Sequence, residues 1–185
     1  AAKNNYKTLL LDEKNELGGS TIFETNENKK INNTFSSEWL KKEISELKNI
    51  KNLEIKTRTS VAAYHQYNYL LARENLTDHL EKKDKKNKIR QRLLKIRAKK
   101  VILATGALER PLVFNNNDRP GIMLSSAVKK YSDFYGVACG KKNIFFTNND
   151  SAYESALSLH NKGIKVDAII DIRENSNAKI IKKIN

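Results

Sequence analysis

An acidic pair and a glycine pair follow the first apolar segment of the chain. The segment "TLLL" ends at Leu11, Asp12 and Glu13 come next, and Gly18 and Gly19 follow a short polar stretch. In dinucleotide-binding folds, an acid at the end of the second strand accepts hydrogen bonds from the adenosine ribose. A glycine pair lets the backbone lie close to a ligand. The pattern predicts a nucleotide site that favours NAD or FAD over NADP, and the alternative is an ordinary acid at a strand end.

A second candidate site lies in "VILATGALERP". The apolar residues of Lys100–Ala104 predict a buried strand that runs into Thr105 and Gly106. In flavoproteins with two dinucleotide domains, the chain passes under the cofactor at such a point, and glycine allows close approach. Ala104, Thr105 and Gly106 are therefore candidate cofactor-binding residues. The alternative is a strand that simply ends in a turn.

A third segment, "NIFFTNNDSAYESAL", has the strand, turn and helix order of a glycine-rich fingerprint. Aligned with G-x-G-x-x-A, it has Thr147 and Asn149 at the glycine positions, and Ala152 alone matches. Side chains at those positions crowd the space where a pyrophosphate would approach the backbone, although N–H groups at a helix start can still bind an anion. The segment indicates a structural turn whose nucleotide site is degraded.

Other reactive side chains form no complete active site. Cys139 has no second cysteine to pair with, which fits a reducing cytoplasm and argues against a disulfide-reducing flavoenzyme. His65, His79 and His160 lack the spacing of metal ligands, so we expect no metal site.

The charge and hydropathy limit the possible partners. The formal net charge is +14, and much of it lies in Glu81–Lys100, where acids are interspersed and aromatic residues are absent. A solvated hairpin loop explains this stretch better than a nucleic-acid site does, although a basic nucleic-acid-binding module is an alternative. No apolar run approaches the ~18 residues of a membrane span, so we expect no membrane contact.

The hydrophobic patterns predict an α/β fold. In the first half we expect strands near residues 7–11 and 53–57, a helix from Ser36 or Ser37 to about Asn49, and a long hairpin of Val61–Leu76 with Arg90–Ala98. The second half predicts a helix from Ser125 or Ser126 to about Tyr135, strands at 143–146 and 166–171, and a helix at 151–162. Two strand–helix–strand patterns are typical of parallel sheets with helical crossovers.

Several motifs together resemble the α subunit of heterotetrameric sarcosine oxidase and related amine and opine dehydrogenases. They are "LLLDEKNELGGS", "YHQYNYLLARENLTDHL", "RLLKIRAKKVILATGALERPLVFNNNDRPGIMLSSAV" and "FFTNNDSAYESAL". The resemblance covers nearly the whole chain, and R-P-G-I-M and T-N-N-D-S-A-Y are not generic flavoprotein sequence.

The resemblance implies a Rossmann-like, FAD/NAD(P)-binding fold with two dinucleotide domains, truncated at both ends. Residues 1–114 would be a partial first domain without the G-x-G-x-x-G turn, with a β-hairpin insertion at about 58–98. Residues 115–140 would form a connector and helix, and 141–185 a partial second domain. A folate-binding, aminomethyltransferase-like domain would follow in the full subunit.

The resemblance also implies a role in the oxidative demethylation of sarcosine to glycine. The amine-oxidising FAD would belong to the β subunit, and γ and δ subunits would complete the complex. The α subunit would hold a non-covalent NAD and help to bind FMN, while tetrahydrofolate would bind outside this chain. Asp12 would hold the ribose, Gly18, Gly19, Thr105 and Gly106 would line the dinucleotide, and Val61 would contact the adenine. A subunit of a related dehydrogenase and a stand-alone NAD(P)H-dependent oxidoreductase are alternatives.

Overall fold

The computed structural model describes residues 1–23 and 30–174. These residues form two compact units. The first contains residues 1–22 and 30–106, and the second contains Phe23 and residues 107–174. The domain boundaries that the sequence predicts at residues 114 and 140 stay predictions.

The first unit combines a parallel strand pair with an antiparallel sheet. Its strands and helices, in chain order, are β1 (Thr8–Leu11), β2 (Lys30–Ile31), β3 (Thr34–Phe35), α1 (Ser36–Lys48), β4 (Leu53–Lys56), β5 (Thr59–His65), β6 (Tyr69–Asn75), α2 (Lys82–Lys85) and β7 (Gln91–Arg97). Short 3-10 helices in the described residues span Ala2–Asn4, Gly19–Phe23 and Gln66–Asn68.

Strands β1 and β4 are parallel, and helix α1 lies between them in the chain. Thr8 is opposite Leu53 and Leu11 is opposite Lys56, so both strands end at the same edge. The predicted helix is confirmed at Ser36–Lys48, but no serine caps it, since Phe35 occupies the cap position without a side-chain hydrogen bond. This strand–helix–strand order is the crossover expected of an α/β fold.

The predicted hairpin is present as the antiparallel pair β6–β7, and β5 adds a third strand. The segment predicted as one arm, Val61–Leu76, contains two strands because the chain reverses at Tyr67 and Asn68, which both take positive φ angles. A β-bulge lies between Val61 and Ala63 of β5. The bulge bends β5 just after its first residues.

The strand predicted at Lys100–Ala104 is not formed. Residues 101–114 have no regular secondary structure, and the side chains of Ile102 and Leu103 are 81% and 70% exposed. An apolar strand forms when a neighbouring strand takes up its backbone hydrogen bonds. Within residues 1–23 and 30–174 no strand pairs with this segment, so the apolar pattern alone does not produce a strand.

The second unit is a smaller α/β arrangement. Its elements are α3 (Ser125–Tyr135), β8 (Asn143–Thr147), α4 (Ser151–Asn161) and β9 (Val166–Asp171). Strands β8 and β9 are parallel, and the core contains Phe145, Ala152, Ala156 and Leu159. These four elements match the predicted order and lie within one or two residues of the predicted bounds. No helix in the described part of the chain is long and apolar enough to cross a membrane.

Candidate functional site

Asp12 lies where the parallel strands β1 and β4 end. Its backbone N–H donates to the carbonyl of Lys56 at 3.0 Å, and its carbonyl accepts from the N–H of Thr59 at 2.8 Å. These two bonds extend the β1–β4 pairing by one residue and connect it to the start of β5. The half-buried side chain of Asp12 is therefore held at the strand edge where α/β folds bind their ligands.

The Asp12 carboxylate is only partly used by the protein. Its Oδ1 atom accepts a hydrogen bond from the backbone N–H of Lys14 at 2.9 Å, which closes a local turn of the kind that aspartate favours. No group among the described residues donates to Oδ2. This oxygen is free to accept a hydrogen bond from a ligand hydroxyl. Glu13, the second predicted acid, is exposed.

The two glycines after Asp12 have different surroundings. A Cβ built on Gly18 would lie 2.8 Å from Leu40 Cδ2 and 2.9 Å from Ile22 Cγ1, so a side chain at this position would force Leu40 of helix α1 and Ile22 to shift. A Cβ on Gly19 would meet no atom within 4 Å. Gly19 therefore leaves open space where a ligand can approach, whereas Gly18 has a structural role that the sequence does not reveal.

Val61 belongs to the element that the backbone of Asp12 contacts. It pairs with Ala72 in the sheet, its side chain is 46% exposed, and it lies two residues after Thr59. The structure thus connects Asp12 to the part of β5 that contains Val61. Contact between Val61 and an adenine ring stays a prediction.

Ala104, Thr105 and Gly106 are all exposed and lie in the irregular segment. Gly106 has a φ of 72° and open space at its Cβ position, which fits a backbone that could approach a ligand. In the part of the chain that the structure describes, no hydrogen bond joins these residues to Asp12. Their place in one site with Asp12 stays a prediction.

The turn between β8 and α4 is closed by its own side chains. The Asn149 N–H donates to Thr147 Oγ1 at 3.1 Å, and the Ser151 N–H at the start of α4 donates to Asn149 Oδ1 at 3.0 Å. Thr147 is 3% exposed. Two of the N–H groups near the helix start that could contact a pyrophosphate are therefore already bonded, which supports a structural turn.

A network of ion pairs and hydrogen bonds at the end of β9 lies beside the turn between β8 and α4, and the sequence did not lead us to expect it. Arg173 Nη2 lies 2.7 Å from Asp171 Oδ2 and 2.6 Å from Asp150 Oδ1, while the Tyr153 hydroxyl donates to Asp171 Oδ2 at 3.0 Å. Hydrogen bonding to Arg173 holds the pKa of Asp171 far below its usual value. The acid that would hold a ribose in a second nucleotide site is thus bonded within the protein. An acid at the end of "VDAIID" followed by arginine was the available signal.

Glu109 is a second residue that the sequence reading missed. Its carboxylate accepts hydrogen bonds from the backbone N–H groups of Ser125 and Ser126, at 3.1 and 2.8 Å. Burial raises the pKa of the Glu109 carboxyl, but the hydrogen bonds from Ser126 and Ser125 outweigh it and keep the pKa below its usual value. Glu109 therefore caps helix α3 across a loop, a partnership that sequence spacing does not reveal.

Known proteins match the chain over nearly its whole length. Sarcosine oxidase subunit alpha of Corynebacterium sp. strain P-1 is 40% identical over 173 residues, 94% of this chain. The same subunit of strain U-96 is 39% identical over 178 residues, and that of Rhizobium meliloti strain 1021 is 35% identical over 173 residues. The chain is a relative of the sarcosine oxidase α subunits. The resemblance seen in the sequence motifs is confirmed.

The match covers a small part of the sarcosine oxidase α subunits themselves. The chain spans 18% of the length of the two Corynebacterium proteins and 17% of the Rhizobium protein. No protein-family model matches the chain.

A solved structure confirms the fold class. The L-proline dehydrogenase of P. horikoshii superimposes with a TM-score of 0.66 at 25% sequence identity, over 91% of this chain and 32% of that protein's chain. This relative of the sarcosine oxidase α subunits therefore has the FAD/NAD(P)-binding flavoprotein fold.

Proposed function

We propose that this chain is part of the dinucleotide-binding region of a sarcosine oxidase-like α subunit. The observation that supports it best is the position of Asp12, which lies at the shared carboxyl edge of β1 and β4 and has one oxygen to which no described residue donates. The chain's similarity to sarcosine oxidase α subunits and to a dehydrogenase favours an oxidoreductase.

The available groups of the site fit an adenosine ribose. Asp12 would accept hydrogen bonds from the ribose hydroxyls through Oδ2, and Glu13 would add negative charge at the rim. A second carboxylate disfavours a 2′-phosphate, so NAD or FAD is preferred to NADP. Gly19, with open space at its Cβ position, would allow the backbone to approach the nucleotide.

The remaining predicted residues complete the proposed site. Val61 would contact the adenine, and the backbone of Ala104, Thr105 and Gly106 would lie beneath the cofactor. Gly18 would act indirectly, since its packing against Leu40 positions the turn that contains Gly19. A bound NAD would supply a hydride acceptor, while this chain's residues would bind and orient it.

The wider proposal concerns the whole enzyme. We propose that the amine is oxidised at the CH–NH group by an FAD in a β subunit, that FMN and NAD are further cofactors, and that tetrahydrofolate binds in another domain of the α subunit. Partner γ and δ subunits and a cytoplasmic location belong to the same proposal. On this view the chain would be inactive by itself, because the amine-oxidising flavin lies elsewhere.

A stand-alone NAD(P)H-dependent oxidoreductase is less well supported. It needs a second intact nucleotide site, yet Asn149 already caps Ser151 and Arg173 already pairs with Asp171. A subunit of a related amine or opine dehydrogenase fits the geometry as well as sarcosine oxidase does, because the amine pocket lies outside the proposed nucleotide site.

The nucleotide content of the full-length protein tests the proposal. The protein is purified with its subunits and denatured, and the released cofactors are separated and identified by mass spectrometry. We expect NAD in near-equal amount to the α subunit or, if FAD takes its place, two FAD per complex instead of the one that belongs to the β subunit. A complex that releases no NAD and only one FAD would refute the dinucleotide site, whereas NADH oxidation by the α subunit alone would favour the stand-alone enzyme.

A further inference from the structure

The sheet β5–β6–β7 has one face that is rich in cations. Opposite residues of an antiparallel pair lie on the same face, and that face alternates along each strand. Arg73 pairs with Leu93, Leu71 with Lys95, and Tyr69 with Arg97. We call the surface formed by these six residues the basic face. Arg73, Leu93, Lys95 and Arg97 are all exposed.

The described residues provide no acidic partner for the cations of the basic face. Within residues 1–23 and 30–174, no carboxylate lies in ion-pair distance of Arg73, Lys95 or Arg97. Glu74 is the one acid in strands β5, β6 and β7, and it alternates with Arg73 along β6, so it lies on the opposite face of the sheet. There it is buried, 3.2 Å from Lys56 Nζ and 3.4 Å from Arg92 Nη1.

The basic face also exposes aliphatic surface between its charges. Leu93 is 62% exposed, and Lys95 lies two residues further along the same strand, on the same face. Leu71, opposite Lys95, is half-buried. Arginine together with apolar side chains is typical of protein interfaces, and a flat sheet face holds these groups at fixed cross-strand spacing.

Tyr69 is the one aromatic residue of the basic face, and its half-buried ring already lies beside two other side chains. The Arg97 guanidinium lies 5.5 Å from the centroid of the Tyr69 ring, and the His65 ring lies 6.0 Å from it. Proteins that bind single-stranded nucleic acid stack bases on open aromatic rings. A half-buried Tyr69 beside Arg97 and His65, together with an exposed Leu93, favours a protein partner over a nucleic acid.

We propose that the basic face docks against an acidic surface of another protein subunit. Carboxylates of the partner would pair with Arg73, Lys95 and Arg97, and an apolar side chain of the partner would cover Leu93. The charge complementarity sets the orientation of docking and speeds the encounter. This inference rests on the proposed membership of a multi-subunit enzyme and is independent of which nucleotide is bound.

The test uses full-length protein co-expressed with its subunits. The triple variant R73E/K95E/R97E is compared with K82E/K86E/K88E, which has the same net charge change and alters exposed lysines around α2. Bound subunits are quantified after size-exclusion chromatography, and zero-length carbodiimide coupling followed by mass spectrometry identifies carboxylates in contact with Lys95. Nucleotide content is measured on every sample.

We expect the R73E/K95E/R97E protein to lose at least about 90% of one partner subunit, while the control keeps it and Lys95 couples to an acid of that same subunit. Both variants should keep their nucleotide, so a failure of the nucleotide site would be seen separately. Equal subunit retention in the two variants would overturn the proposal. The proposal would also be overturned if the R73E/K95E/R97E protein kept its subunits but lost binding to an oligonucleotide or to anionic vesicles.

Discussion

The carbonyl of Asp12 accepts a hydrogen bond from the N–H of Thr59 at 2.8 Å. This bond joins the end of the parallel pair to the start of the antiparallel sheet, and Thr59 is 1% exposed. The Thr59 hydroxyl donates in turn to the carbonyl of Thr57 at 2.9 Å. The backbone around Asp12 is therefore fixed by buried hydrogen bonds, which pre-position its carboxylate.

The packing of Gly18 predicts unequal effects for the two neighbouring glycines. Gly18→Ala places a methyl group against Leu40 and Ile22 and also strains a φ of 127°, whereas Gly19→Ala strains only a φ of 58°. We expect Gly18→Ala to lower the free energy of unfolding by about 2–4 kcal/mol and Gly19→Ala by about 1 kcal/mol. Urea denaturation of each variant measures this, and equal losses would contradict the packing role of Gly18.

Asp133 connects helices α3 and α4. Its side chain is 1% exposed, and its oxygens lie 2.9 Å from Lys129 Nζ and 2.6 Å from Lys162 Nζ. Asp133→Ala removes the buried carboxylate that both lysines contact and should cost about 2–3 kcal/mol of unfolding free energy. Asp118→Ala, at an exposed position, is the matched control and should cost less than about 0.5 kcal/mol. Similar losses in both variants would show that Asp133 does not stabilise the unit.

The carboxyls of Asp133 and Asp171 predict the acid sensitivity of the second unit. Burial raises the pKa of Asp133, but hydrogen bonds from Lys162, Ser158 and Lys129 outweigh this effect, so the pKa lies below its usual value of 3.8. Hydrogen bonding to Arg173 lowers the pKa of Asp171 in the same direction. A depressed folded pKa gives stability that is present above the unfolded pKa and lost as the pH falls through the folded pKa.

We therefore expect the unfolding free energy of the second unit to decrease as the pH falls below about 4. Hydrogen exchange of α4 amides as a function of pH measures this decrease. Asp133→Asn and Asp171→Asn should each make the profile flatter. A profile that is unchanged in both variants would be the contrary result.

The cap on α3 predicts a local effect of Glu109. Glu109→Ala removes the acceptor for the N–H groups of Ser125 and Ser126, and loss of such a cap costs about 1 kcal/mol. The amides of the first turn of α3 should exchange about fivefold faster. Glu16→Ala, at an exposed position, should leave them unchanged. Equal exchange rates in the two variants would mean that Glu109 is not the cap.

The sequence correctly predicted elements that combine apolar periodicity with a pairing or packing partner in the described fold. The β8–α4–β9 unit follows local apolar periodicity and a helix-ending glycine, Gly163, whose N–H bonds to the carbonyl of His160 at 2.9 Å. Lys100–Ala104 has an equally strong apolar pattern but no pairing strand among the described residues. Strand formation depends on a neighbour, which periodicity does not supply.

The sequence predicted part of the candidate site but not the residues that support it. An acid after an apolar strand was sufficient to place Asp12 at the carboxyl edge of the sheet. The role of Gly18 was not predictable, because it depends on Leu40, which is 22 positions away in the sequence. Glu109 was missed for the same reason, since its partners Ser125 and Ser126 are brought to it by the fold. Arg173 lies two residues after Asp171, so that pair had a local signal, whereas its contact with Asp150 depends on the fold.

The contribution of Asp12 to nucleotide affinity is the most direct measure of the proposed ribose contact. Full-length protein is freed of nucleotide, and the dissociation constant for NAD is measured by isothermal titration calorimetry for the wild type, Asp12→Asn and Asp118→Asn. Hydrogen bonds to a charged group contribute about 1.5–3 kcal/mol, so Asp12→Asn should weaken binding about 10- to 100-fold while Asp118→Asn leaves it unchanged. Equal affinity in all three proteins would contradict the proposal that Asp12 holds the ribose.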